Sequence, residues 1–354
     1  MRAIRVGISL VTILLAGCAG VGPRTIARDR FDYVASVSES WKRQMLLNLL
    51  KTRYADAPVF MDISSVINSY SLEGDIDLGG EFAKVGRGDT FAGVGVAGRY
   101  ADKPTISYVP LAGDKFARSL MAPLPITGVL LLLQSGYPAD IVLRVCVNTV
   151  NGIENSYGGM GSLRKGDPKF RELMTALREN QSAGGTGMRI RAVRDTQVVV
   201  MSFRPATDDA IPEPVRRIHE LLGLDGSVRE YDVVYGSYPE SDREIALLTR
   251  SINQVLTDFA SYIDVPEADL AEGRVHRPQR TPEELLLFPP VLSVHNGPSA
   301  PDDAYVAVRY RNRWFWIDDR DLPSKTMFNS VLMLFSLTET GQAQPAPLVT
   351  IPTR

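Results

Sequence analysis

An α+β fold, with mixed and antiparallel sheets covered by helices, follows from three observations in the sequence. Residues 29–54 repeat apolar positions every three or four, the spacing of an amphipathic helix. Residues 70–100 alternate apolar and polar positions with a period of two, the spacing of a strand with one buried face. Near the C-terminus, two short strand patterns around 305–318 precede a very apolar helical run, 324–339, which needs a sheet to bury it.

The chain opens with Arg2 and Arg5, an apolar run from Val6 to Leu15, and then Ala16-Gly17-Cys18. A positive start, an apolar core and small residues before a cut are the parts of a secretory signal peptide, which assigns 1–17 to it. The apolar run is about half the roughly 20 residues a helix needs to cross the hydrocarbon core. An uncleaved signal anchor, or an ordinary signal peptide with a chance cysteine, is the plainer alternative. Leu15-Ala16-Gly17-Cys18 resembles the cleavage site of bacterial lipoproteins. The resemblance implies lipid attachment, palmitate-type acyl chains included, at Cys18. Ala19 in place of an aspartate implies delivery to the outer membrane, facing the periplasm. Each buried acyl methylene contributes about 0.8 kcal/mol, so several chains anchor the protein durably.

Cleavage removes Arg2 and Arg5 from 39 basic residues and leaves all 41 acidic ones, so the mature chain is slightly more acidic than the −2 of the full sequence. That balance argues against nucleic acid as a partner and against a polybasic lipid-docking patch. With Cys18 committed to lipid, Cys146 is left without a disulfide partner in the chain. Its apolar setting, Ile141 to Val147, reads as part of a buried strand over 139–148.

Residues 18–28 read as a tether and 29–54 as the first helix, with Trp41, Met45, Leu46, Leu49 and Leu50 in phase. Next comes a long Gly-rich β-hairpin near 68–104. Tyr70, Leu72, Ile76, Leu78 and Phe82 fall on one face of its first strand; Ala92, Val94, Val96 and Tyr100 fall on one face of its second. A turn centred on Arg87 sets Phe82 against Ala92, Leu78 against Val96 and Gly74 against Tyr100, so the apolar faces coincide. Beyond it we expect a strand at 105–109, helices at 114–121 and 126–134, a loop at 151–166, a helix at 168–180 and strands at 189–193 and 198–204. Asp208, Asp209, Pro212 and Pro214 suggest a boundary between domains 29–207 and 208–341. A helix ending at Leu222, a strand at 229–235 and a long helix at 242–263, capped by Ser241 and Glu244, follow. Prolines mark 264–290 as a linker. A hairpin turns at Arg311-Asn312-Arg313, and 342–354 is a Pro-rich tail.

No catalytic residue emerges from the motifs. Gly93 to Gly98 has the spacing of a dinucleotide loop but runs on within a strand pattern, whereas that chemistry needs a helix N-terminus at the pyrophosphate. Ser162-Leu163-Arg164-Lys165 has the serine–lysine spacing of penicillin-binding enzymes without their companion elements. His219, His276 and His295 are dispersed, giving no metal set and no reason to expect a cofactor. The pairs Asp208-Asp209 and Asp302-Asp303, and Asp318-Asp319-Asp321, adjoin turns or helix starts, where aspartate caps and bends backbone. Trp314 and Trp316 share one face of a strand. They either stack on a ligand or partner, such as a sugar ring or a proline, or pack beneath the helix at 324–339.

Four stretches, Ser40-Trp41-Lys42, Arg53-Tyr54-Ala55-Asp56, Gln134 to Asp140 and Phe315 to Asp321, resemble a family of uncharacterised proteobacterial envelope lipoproteins. The resemblance implies no activity, ligand or catalytic residue. Together these readings point to a non-catalytic structural, assembly or transport-accessory role, with other envelope proteins or further copies of the chain as partners. An envelope hydrolase acting on peptidoglycan or glycan, and a ligand-binding module, are the alternatives. A length of nine to eleven residues per strand also suits the hairpin to spanning a membrane within a shared barrel, against the plainer reading of a soluble hairpin lying on its own domain.

Overall fold

The computed structural model describes residues 23–67, 70–77, 95–102, 105–159, 163–193, 196–203, 211–276, 281–287 and 289–338. They combine helices with mixed and antiparallel sheets, an α+β protein. The described chain forms two compact units, one of residues 23–58 with 114–338 and one of residues 59–113.

In the larger unit, helix α1 (Pro23–Arg53) starts inside the stretch expected to be a tether. Proline at the first helical position costs nothing, because its missing N–H would have no partner there. Only the C-terminal half is a core helix. Met45, Leu46, Leu49 and Leu50 are buried, while Phe31 and Val34 nearer the start are exposed. Ala55, at φ 58°, takes the left-handed turn that ends the helix, and Asp56 N–H closes on the Lys51 carbonyl at 2.8 Å.

Helices α2 (Asp114–Met121), α3 (Ile126–Gln134), α4 (Ala139–Cys146), α5 (Pro168–Ser182) and α6 (Glu213–Leu222) accompany a six-stranded sheet. Helices α2, α3, α5 and α6 match the sequence expectation closely. Helix α4 does not, since it replaces most of the strand expected at 139–148. Pro138 precedes it, and Ala139, Val142, Leu143, Val145 and Cys146 are buried at helical spacing against α5. A short apolar run is ambiguous by period alone, and packing decides it.

Strands β5 (Val147–Val150), β6 (Ile153–Glu154), β9 (Thr186–Val193), β10 (Thr196–Phe203), β11 (Glu230–Tyr235) and β12 (Glu244–Thr249) are ordered β6-β5-β12-β11-β10-β9. All neighbours are antiparallel except β11 and β12. Two further strands, β7 (Tyr157–Gly158) and β8 (Leu163–Arg164), pair by themselves in the loop expected over 151–166. Ion pairs Arg189–Glu230 at 2.5 Å and Arg191–Asp232 at 2.8 Å bridge β9 to β11 across β10, where Val200 is buried between them. Their aliphatic stems can cover a sheet face that no helix needs to cover.

The sheet corrects two expectations. Strands β10 and β11 lie on either side of residue 208 and pair directly, so the expected domain boundary falls inside one sheet. The long helix expected at 242–263 divides into β12 and helix α7 (Ile252–Ser261). Ile245, Ala246 and Leu247 are all buried between β11 and β5, as a central strand requires, and a strand buried on both faces loses its alternation. The true capping box is Ser251 with Gln254: each side chain accepts the other's backbone N–H, at 3.2 and 3.0 Å.

At the end of β12 a guanidinium is buried. Arg250, 1 % exposed, donates to Asp258 of α7 at 3.1 Å, to the Ser156 carbonyl at 2.5 Å and to Asn148 Oδ1 of β5 at 3.3 Å. Asp258 also accepts Gly158 N–H at 2.7 Å, and Arg164 of β8 shares the Asn148 acceptor at 2.7 Å. The Arg250 guanidinium also lies 5.4 Å from the Tyr157 ring centroid.

The expected linker at 264–290 belongs to this unit. It carries helices α8 (Glu267–Ala271) and α9 (Pro282–Leu287), Val265 and Val275 are buried, and Arg53 donates to the carbonyls of Ile263 and His276. The C-terminal sheet, order β13-β15-β14, comprises β13 (His295–Gly297), β14 (Ala304–Tyr310) and β15 (Arg313–Asp318). The turn between β14 and β15 places both Arg311 and Asn312 at positive φ. Helix α10 (Leu322–Thr338) follows, its first turn capped by Asp321, which accepts Ser324 N–H at 3.0 Å. Gly341 and the tail lie outside the described residues.

Replacing Asp258 with alanine leaves the Arg250 charge buried without its counter-ion. We expect a loss of about 3–5 kcal/mol in unfolding free energy, read from urea denaturation of the mature chain.

Candidate functional site

The smaller unit is built of two antiparallel pairs, β1 (Phe60–Ile67) with β4 (Thr105–Leu111), and β2 (Tyr70–Asp77) with β3 (Gly95–Asp102). Ile67 pairs with Thr105 and Tyr70 with Asp102, three residues further along each strand, so both pairings share one register. Between Ile63 and Ser65 the register shifts by one residue at a bulge.

The bulge has a definite effect on the pattern of faces. Opposed residues of an antiparallel pair share a face. Met61 with Pro110 and Ile63 with Tyr108 precede the bulge; Val66 with Ile106, Leu72 with Tyr100, Gly74 with Gly98 and Ile76 with Val96 follow it. Were residues 63–66 to alternate regularly with no bulge, the apolar positions of β1 before it would fall on the opposite face from Val66, Leu72 and Ile76. With it, Met61, Ile63, Val66, Leu72 and Ile76 fall on one face with Pro110, Tyr108, Ile106, Tyr100 and Val96, a face that also carries Asp102 opposite Tyr70, and Glu73, Asp75 and Asp77 with Arg99 lie at positions of the other. In the apolar row Met61 is 41 %, Ile106 39 % and Tyr108 54 % exposed.

The observed register differs from the expected one. Ile76, not Leu78, opposes Val96, and Leu72, not Gly74, opposes Tyr100. The connecting residues 78–94, including Leu78, Phe82, Ala92 and Val94, lie outside the described residues, as does Cys18. Of the dinucleotide-like spacing, residues 95–98 lie in strand β3.

The C-terminal sheet divides the aromatic cluster between its two faces. Phe315 and Ile317 are buried together with Val306 and Val308, so they form the inward face, and α1 packs against β14. Trp314 and Trp316 point the other way and are partly exposed. Trp316 leans over Gly297, where a β-carbon would sit 3.1 Å from the indole, and lies 5.9 Å from the His295 ring. Arg309, exposed, is the register partner of Trp314.

Among the remaining candidates, Asp303, Asp318, Asp319 and Asp321 have structural employment. Asp303 pairs with Arg320 at 2.5 Å, Asp319 with Lys325 at 2.6 Å, Asp318 accepts Arg320 N–H at 2.8 Å, and Asp321 caps α10. Burial pushes the Cys146 thiol up to about 12, so it stays protonated and inert. Ser162, Asp208 and Asp209 lie outside the described residues. A shallow recess of about 470 Å³ between Pro123–Thr127 and Val199, Val233 and Tyr235 holds no ionisable group except the tyrosine. Among the described residues there is no cluster of three metal-ligating side chains and no helix long and apolar enough to cross a membrane.

The stretches 40–42, 53–56 and 134–140 make structural contacts. Lys42 lies 4.6 Å from the Tyr305 ring centroid. Tyr54 donates to Asp269 at 2.6 Å and stacks under Arg311, while Asp56 accepts from Tyr310 and from Arg311. Gly136, at φ 89°, turns α3 into α4, with the Gln181 side chain bridging Tyr137 and Ala139. No protein-family model matches the chain, and neither does any curated protein or any solved structure.

One histidine is placed to sense pH. His219 of α6 lies 3.0 Å from the Tyr231 hydroxyl and is ringed by Phe203 and Tyr231. Burial lowers its pKa below 6.5, partly opposed by Asp225. The folded state therefore favours the neutral ring, and the stability that His219 contributes above pH 6.5 is lost as the pH falls through the folded-state pKa. The urea midpoint should drop on acidification below 6.5, and His219→Asn should flatten that drop.

Proposed function

We propose that the protein is a lipoprotein held to the periplasmic face of the outer membrane through Cys18, with a non-catalytic structural, assembly or transport-accessory role, and that it joins other envelope proteins through its β-ribbon. One observation carries this reading: a bulge keeps the apolar positions Met61, Ile63, Tyr108 and Pro110 on the same face as Leu72, Ile76, Val96 and Tyr100, on strands that have a single neighbour each among the described residues. Two-stranded ribbons are marginally stable alone in water, and exposed apolar residues such as Met61, Ile106 and Tyr108 make a surface for association. The signal-like N-terminus and the resemblance to envelope lipoproteins support the location. The use of Asp303, Asp318, Asp319 and Asp321 in ion pairs and caps favours this role over a hydrolase.

A second reading has its own support. Because Phe315 and Ile317 fill the inward face, Trp314 and Trp316 are available to a ligand beside Arg309.

Cys18→Ser should abolish acyl labelling and move the protein from the membrane to the soluble periplasmic fraction. A substituted chain that stays lipidated and membrane-bound would defeat the anchor. Ile76→Asp with Val96→Asp should reduce the detergent-extracted particle to a smaller, folded species by light scattering; an unchanged mass would exclude the ribbon as the joining surface.

A further inference from the structure

We infer that the partner of the ribbon is a second copy of this chain, joined head to tail, with strand β2 of one copy beside strand β3 of the next. The inference rests on the assembly role proposed above and specifies its partner and geometry.

Among the described residues β2 and β3 pair only with each other, so each presents one outer edge of backbone N–H and C=O groups. Such edges are satisfied by water or by another strand, and proteins that leave them long and bare invite pairing. A third strand beside β2 or β3 would turn a marginal ribbon into a sheet.

The charges choose which edge meets which. Strand β2 carries Glu73, Asp75 and Asp77 at alternate positions, and strand β3 carries Arg99 at a position of the same face. Two copies joined β2 to β2 around a two-fold axis would set three carboxylates against three, and like charges on neighbouring strands are destabilising. Joining β3 to β3 would leave both acidic edges bare and place arginine near arginine. Joining β2 to β3 brings the acidic edge to the strand that carries the basic residue, as within the ribbon itself, where Glu73 opposes Arg99.

A head-to-tail interface uses two different surfaces, so each copy added leaves one of each free until the chain of copies closes. Sheet twist favours closure, and a closed sheet has no edges. Every copy in such a ring turns the positions of Leu72, Ile76, Val96 and Tyr100 to one wall, with Asp102 at the end of β3, and the positions of Glu73, Asp75 and Asp77 to the other.

The test uses full-length lipidated chains carrying two different affinity tags and co-expressed in one cell. One chain bears a single cysteine on β2 (Ser71→Cys, Glu73→Cys or Asp75→Cys), the other a single cysteine on β3 (Ala97→Cys, Arg99→Cys or Ala101→Cys). Cys146 contributes no background, since its thiol is buried and held protonated. Under mild oxidation we expect disulfide-linked dimers carrying both tags for at least one register of β2 with β3, and none between two β2 chains or two β3 chains. Particle mass in mild detergent is measured on the same samples. Dimers linked β2 to β2 or β3 to β3 would overturn the head-to-tail order. A large particle with no cross-link in any register would overturn strand pairing while sparing the assembly role. A monomer in mild detergent would overturn both.

Discussion

A charged group that cannot stay in the core alone organises the larger unit. Taking the Arg250 guanidinium out of water costs several kcal/mol unless it is paired and hydrogen-bonded. Its compensation comes from three directions: Asp258 on the following helix, the Ser156 carbonyl in the loop after β6, and Asn148 in strand β5. Meeting all three fixes the angle at which α7 leaves the sheet and holds residues 155–158 and 163–164 against it. Helix α1 then packs on α7 and on β14, so the C-terminal sheet inherits its position from the same arrangement. A hydrophobic core alone would tolerate several placements of α7; a buried ion with directional donors tolerates few.

Local signals in the sequence were legible where they lie within a few residues of each other. Pro168 after Asp167 opens α5, and the Asp167 carboxylate accepts Lys169 N–H. Pro125 precedes α3, and the Arg311–Asn312 turn sits between two alternating runs. Long-range compensation was not legible. Residues 139–150 and 244–261 each hold a helix and a strand that adjoin, and period separates them poorly when most of their apolar residues are buried. Ser241 and Glu244 imitate a helix start that Ser251 and Gln254 actually make ten residues later. Nothing near Arg250 or Asn148 in the chain announces that they meet.

The candidate surfaces were half legible for the same reason. Alternation places Trp314 and Trp316 on one face and Phe315 and Ile317 on the other, but the side that turns inward depends on Val306 and Val308 across the hairpin. Alternation also marks the apolar face of the β2–β3 ribbon. Its extension through β1 and β4 was hidden, because at residues 63–65 the extra residue breaks the very period by which a strand is recognised.

That bulge gives the ribbon a rule of length. A side-chain period of two makes the ribbon sensitive to parity: one residue gained or lost between Met61 and Ile76 exchanges its two faces on one side of the change, whereas two residues leave them in phase. Related chains can therefore lengthen or shorten this ribbon freely in even steps, and in odd steps only by gaining or erasing a bulge. The ribbon's length can change through evolution without altering which of its residues share a face.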